Sequence, residues 1–200
     1  MEILFTGFEP FGGETSNPSW DAVSLLPETI GGAQVRRLLL PVAGERALAR
    51  IREALRERCP DAVIAVGQAG GRTGVTPERV AVNVDDYRIP DADGFQPADV
   101  PVVPDGPAAY FATLPVKAMV RAIRDAGLPA SLSDSAGTYV CNHVLYGLLH
   151  LAAAEYPGLR CGFVHVPYSA AQAAEKPGAP SMSLPDMARA LEAAASALLA

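Results

Sequence analysis

Apolar and polar positions along this chain form two kinds of run that follow one another in order. The first is "EILFT" (Glu2 to Thr6), a short apolar strand that ends in a glycine-rich turn, "GFEPFGG". "NPSWDAVSLL" then reads as a helix start, with Asn17 as the N-cap and Pro18 at the first helical position. Gln34 to Val42 predicts a second strand. Glu45 to Arg58 predicts an amphipathic helix with Ala47, Ile51 and Leu55 on one stripe. "DAVIAVG" is a continuous apolar run, the pattern of a strand covered on both faces.

Beyond it the pattern loosens. Gln68 to Pro77 is glycine-rich loop, and "ERVAVNVDD" predicts another strand. Tyr87 to Pro107 is dense in Pro, Gly and Asp and reads as a long irregular excursion, a lid, a wall or an extended hairpin. A helix over Val116 to Ala126, a strand near Ala130 to Asp134 and a helix after Cys141 follow. "RCGFVHVPY" is a late strand, and Pro185 to Leu199 an Ala-rich closing helix. Strands alternating with helices predict an α/β fold, a three-layer α/β/α sandwich around a mixed, largely parallel sheet. At 200 residues the chain fits one domain spanning 1–200. Ligands of such folds gather at the carboxyl ends of the strands. "GFEPFGG", "GQAGGRT", "SAGTYVC" and "HVPY" all lie where strands end.

Composition narrows the class. Half the residues are apolar and the net charge is −6, a globular balance that argues against nucleic-acid binding. The opening "MEILFTGF" has no basic segment followed by a long apolar one, and no run is long enough to span a bilayer. Three cysteines, an odd number without CxxC spacing, point to reduced thiols and a cytoplasmic setting. There is no His/Cys/Asp cluster with metal-ligand spacing, and no phosphate loop followed by Lys. Neither metal nor cofactor is called for.

Cys141 stands between a glycine-containing turn and the first turn of an apolar helix. That position suits a small buried side chain. It also suits a nucleophile, because the free N–H groups and dipole of a helix N-terminus favour a thiolate and an oxyanion. Cys59, next to Pro60, and Cys161, inside an apolar strand, read as structural. A nucleophile needs a base. His143 is two positions from Cys141, nearly opposite on a helix, and His150 lies about two and a half turns away. His165 ends the strand "CGFVH", where strands deliver residues to a site. Glu78, Asp85, Asp86 and Asp134 are all candidates to orient it, and residue spacing leaves that choice open.

Four blocks, "FTGFEPFGGETSNPSW", "GQAGGRTGVTPERVAVNVDDYRIPD", "SLSDSAGTYVCNH" and "GFVHVPY", resemble the pyroglutamyl peptidase type I family of cysteine peptidases, also called pyrrolidone-carboxylate peptidases. They occur in family order and cover nearly the whole chain. The resemblance implies a Cys-His-Glu triad at Cys141, His165 and Glu78, and removal of N-terminal pyroglutamate from peptides through an acyl-enzyme. It implies that Phe8 and Phe11 line a pocket for the lactam ring, with Asn17 and Gln68 as polar neighbours. Arg88 matches a family arginine near the nucleophile, which implies a lesser role for it in holding the thiolate or the oxyanion. Family members often form tetramers, which implies a homo-oligomer. Tyr139 departs from the pattern, since many relatives have Phe there; its added hydroxyl beside the pocket either calls for a hydrogen-bond partner or shifts the preferred leaving residue. Two rivals remain at this level: a phosphorylase-like transferase holding phosphate at "GQAGGRT", and a non-catalytic module that binds the lactam without turnover.

Overall fold

The computed structural model describes residues 1–199. Its centre is β1 (Glu2–Phe8), buried along its whole length, with β3 (Ala33–Leu40) parallel on one side and β4 (Ala62–Gln68) parallel on the other. β8 (Arg160–Val166) extends the parallel set beyond β4. Two-residue antiparallel strands close both edges, β2 (Thr29–Ile30) on β3 and β5 (Thr76–Pro77) on β8. Among the described residues the order is β2-β3-β1-β4-β8-β5, a mixed, largely parallel sheet.

The strands are apolar on both faces because each face is covered. Ile3, Phe5, Ile64, Val66, Val164 and Val166 point to one side. There they meet α1 (Pro18–Ser24), α3 (Val116–Asp125) and α6 (Leu184–Ser196). Their alternates Leu4, Val63, Ala65, Cys161 and Phe163 point to the other side, toward α2 (Gly44–Glu57) and α4 (Val140–Ala154). The strand period of two therefore sorts one apolar run into two cores, which is the predicted three-layer sandwich. α1 starts as predicted: Asn17 is its N-cap, accepting from Ser19 N, with Pro18 just inside. α4 is buried nearly all round, so it lies within the fold rather than on it.

Two predicted strands form only in part. Of "ERVAVNVDD" only β6 (Val80–Val82) forms, paired with β7 (Ala109–Phe111) in a separate antiparallel ribbon. The rest is diverted by side chains. Asn142 on α4 accepts from Val82 N at 3.0 Å and donates to Val82 O and Val84 O at 2.9 and 3.0 Å, taking the place of a neighbouring strand. Asn83 Nδ2 turns to Val103 O and Gly106 O. Ala130 to Asp134 is extended and lies parallel to residues 75–79, exchanging Ser131 N–Val75 O, Ser133 N–Pro77 O and Arg79 N–Ser133 O hydrogen bonds, with bridges at Val75–Ala130 and Glu78–Ser133 but no continuous strand.

The 87–107 excursion forms a wall. Asp85 and Val100 exchange both backbone hydrogen bonds at its base, and Tyr87 N donates to Pro97 O. Asp91 Oδ1 closes the turn by accepting from Asp93 N and Phe95 N, while its Oδ2 accepts from Gly44 N.

Asn142→Ala is expected to destabilise the protein by about 2–4 kcal/mol, since it strips the partners from three backbone groups of 82–84 at once. Urea unfolding, followed by circular dichroism, measures this directly.

Candidate active site

Parallel pairing of β4 and β8 places Gly67 beside His165, and β5 sets Thr76 against the other side of that histidine. The chain continues with Glu78 N donating to Phe163 O at 2.9 Å, which brings the Glu78 side chain under the imidazole. His165 Nδ1 and Glu78 Oε1 are 2.7 Å apart. Glu78 has no solvent exposure and His165 only 3%. A carboxylate at Nδ1 holds the proton there and leaves Nε2 as the basic nitrogen.

Cys141 is the second residue of α4 and is only partly buried. Tyr139 caps the helix in an extended conformation without a side-chain cap hydrogen bond, and the first-turn N–H groups have no acceptor within the helix. Sγ lies against Gly67: a Cβ added there would stand 2.9 Å from Sγ and 2.7 Å from the Phe163 ring. Only glycine lets the thiol settle on the strand that neighbours His165.

Burial acts on both members of the pair. Burial pushes the Cys141 thiol up to about 12, and the Glu78 charge adds to this while Arg72 opposes it. Burial lowers His165 below its ordinary value, Glu78 pulls it back up, and Arg72 again lowers it. Glu78 itself is shifted down: burial works against the charge, and the hydrogen bond and charge of His165, with Ser133 and Arg72, outweigh it.

Cys141 opens into a pocket whose wall includes Phe8, Phe11, Asn17, Gln68 and Tyr139, all expected from the sequence. Ser16, Val42 and Val140 complete it and carried no signal of their own, being ordinary residues brought in by the turns around them. The lining carries no charged side chain. Asn17 is mostly committed, with Oδ1 accepting from Ser19 N and Ser19 Oγ and Nδ2 donating to Glu9 O. It shapes the wall rather than offering its amide. Gln68 Oε1 accepts from Gln172 Nε2 at 3.0 Å, which orients its amide nitrogen as a donor for the pocket. Tyr139 OH donates to Pro90 O at 3.1 Å, and its ring packs on Phe11 and edge-on against Tyr87. The extra hydroxyl thus finds its partner in the excursion.

Arg88 is not brought into this wall. Tyr87 turns inward and is buried, so its neighbour Arg88 turns out and is exposed, with its carbonyl accepting from Gln96 Nε2. The cation that the site does hold is Arg72, whose Nη1 donates to Glu78 Oε1 at 2.7 Å. Its only sequence signal was its place in the "GQAGGRT" loop. The other acids are committed elsewhere or face solvent. Asp85 Oδ2 meets His143 Nδ1 at 2.7 Å, Asp134 pairs with Arg79 on the surface, and Asp86 is exposed. His150 Nδ1 meets Tyr110 OH at 3.0 Å.

A family model described as "Pyroglutamyl peptidase" matches residues 1–200. The pyrrolidone-carboxylate peptidase of Clostridium perfringens is 52% identical over 199 residues, covering 100% of this chain and 93% of that one. The Escherichia fergusonii protein of the same name is 58% identical over 193 residues, 96% of this chain and 90% of that one. Among solved structures, pyroglutamyl peptidase I from Bacillus amyloliquefaciens superposes with a TM-score of 0.96 at 46% identity, covering 98% of this chain and 94% of that one. Pyrrolidone carboxyl peptidase from Thermococcus litoralis gives 0.94 at 43%, covering 99% and 93%. With a family match from end to end and relatives at this identity, the chain belongs to the pyroglutamyl peptidase family of cysteine peptidases.

Proposed function

We propose that this chain, working as one catalytic domain, removes N-terminal pyroglutamate from peptides, with Cys141 as nucleophile, His165 as base and Glu78 as the group that orients the base. The observation that carries this reading is the thiol at a helix N-terminus, facing an uncharged aromatic pocket and backed by a buried His–Glu pair.

Pyroglutamate is a neutral five-membered lactam. Phe8 and Phe11 supply flat apolar walls, and the Gln68 amide nitrogen is placed to donate to the ring carbonyl. A free N-terminal glutamate would bring an ammonium group into a pocket without a counter-charge, at a desolvation cost that the lactam avoids. His165 Nε2 takes the thiol proton as Sγ attacks the carbonyl carbon that follows the ring. N–H groups of the first turn of α4 receive the oxyanion. The tetrahedral intermediate collapses, His165 gives its proton to the leaving amine, and a thioester remains. Water, deprotonated by His165, attacks that thioester to release pyroglutamate and restore the thiol.

A phosphate-using transferase is less well supported, since Arg72, the cation of the glycine-rich loop, is committed to Glu78. Arg88 is assigned at most a long-range electrostatic part. Three free thiols fit a reducing cytoplasm. Among the described residues no helix is long and apolar enough to cross a membrane. We extend the proposal to a homo-oligomer, as is frequent in the family.

Release of a fluorescent amine from a pyroglutamyl amide tests the activity, with the glutamyl amide as control. Cys141→Ala is expected to abolish cleavage of the first substrate, and the second should not be cleaved. Survival of activity in Cys141→Ala would remove the nucleophile assignment.

The pH profile gives a second test. A base is active when neutral, and His165 is shifted down. The acid limb of kcat/KM is therefore expected below the ordinary histidine value of about 6.5. An acid limb at or above that value contradicts the buried-imidazole account.

A further inference from the structure

Glu78 has one oxygen with two donors. Oε1 lies 2.7 Å from His165 Nδ1 and 2.7 Å from Arg72 Nη1. A fully buried carboxylate with a neutral imidazole as its only partner has a strong incentive to take up a proton, because burial disfavours its charge. Were it protonated, it would no longer be obliged to accept from Nδ1, and the tautomer of His165 would be free to reverse. The guanidinium removes that freedom by keeping the oxygen an acceptor.

Arg72 does more than supply charge. Its Nη1 also donates to Thr76 Oγ1, on the strand that pairs with His165, and its Nη2 donates to Ser135 O at 3.3 Å. Ser135 begins the turn that enters α4, and Ser135 Oγ accepts from Gly137 N within it. One planar group therefore joins the strand beside the base, the acid behind the base, and the turn that delivers the nucleophile. A lysine has the charge but lacks the fork that reaches separate acceptors.

We propose that Arg72 is a positioning residue of the site: it holds Glu78 ionised as the acceptor for His165 Nδ1–H and ties this pair to the turn preceding Cys141. The assignment rests on the triad reading above and deepens it. Arg72 touches neither substrate nor the reacting atoms, since it is absent from the lining of the Cys141 pocket. It lies instead on the far side of Glu78, where its side chain is 27% exposed. A shallow surface hollow opens there among Gly71, Thr73, Ser131 and Ser133.

The test uses the full-length enzyme and a pyroglutamyl amide substrate. Arg72→Met is expected to lower kcat roughly 10- to 100-fold, the range for loss of an outer-shell partner, with KM within about twofold. The acid limb of kcat/KM should also move to higher pH, because Arg72 opposes protonation of His165. Arg72→Lys should recover part of kcat. Arg72→Ala, whose vacated space is open to the surface hollow, should regain activity on addition of guanidinium below denaturing concentration. An unchanged kcat in Arg72→Met overturns the proposal. So does an equal loss at every pH in a folded Arg72→Ala protein that guanidinium does not rescue. Cys141→Ala run alongside separates the two readings. If it is inactive while Arg72→Met behaves as wild type, only the arginine assignment falls. If it stays active, both fall.

Discussion

A carboxylate sealed from water is the constraint around which this site is built. Glu78 is fully buried, and removing an ion of its size from water costs several kcal/mol unless partners replace the solvent. Both partners meet one oxygen, Oε1: His165 comes from the end of β8 and Arg72 from the loop after β4. What gathers them is a small irregularity of the sheet. Four strands run parallel, and then two residues, Thr76 and Pro77, run antiparallel on the edge. That reversal turns Glu78 back beneath the imidazole.

The parts of the fold legible in the sequence are those governed by local period. β1, β4 and β8 are unbroken apolar runs because each is covered twice, and the Asn17–Pro18 start of α1 follows from the chemistry of an exposed N–H. That the strand predicted over 78–86 would shrink to β6 was not legible, because the backbone beyond it is held by a side-chain amide from a helix more than fifty residues away. The extended segment at 130–134 was legible, and it lies parallel to residues 75–79. In the site, strand ends pointed to Cys141 and His165. The acid stayed undecided among four candidates because only the β5–β8 register distinguishes them. Family resemblance selected Glu78, and the geometry supplies a physical reason. Arg88 was named from the resemblance alone; the alternation that buries Tyr87 turns it outward, and Arg72 carried no signal beyond its glycine-rich loop.

The fold contains two buried histidine–carboxylate pairs of the same length, His165–Glu78 and His143–Asp85, each at 2.7 Å. A search for a base by hydrogen-bond geometry alone would find both. They differ in what surrounds them. His165 lies next to the strand on which the thiol rests, whereas His143 projects from another face of α4 and anchors the base of the excursion, where Asp85 is also bonded to Val100. The first pair serves the pocket and the second braces its wall. A dyad becomes a base only where a nucleophile and a cavity share its side of the helix.

The amide of Asn142, immediately after Cys141, meshes helix α4 with residues 82–84 like a tooth in a rack. This divides the surroundings of the thiol into a part with a strict reading frame and a part without one. Between Cys141 and the 82–84 segment, a shift of one residue would misalign the pair. Within the exposed turn around Gly94, length can change while the tooth stays engaged. The excursion can therefore change length by insertion while the spacing around the thiol is held fixed.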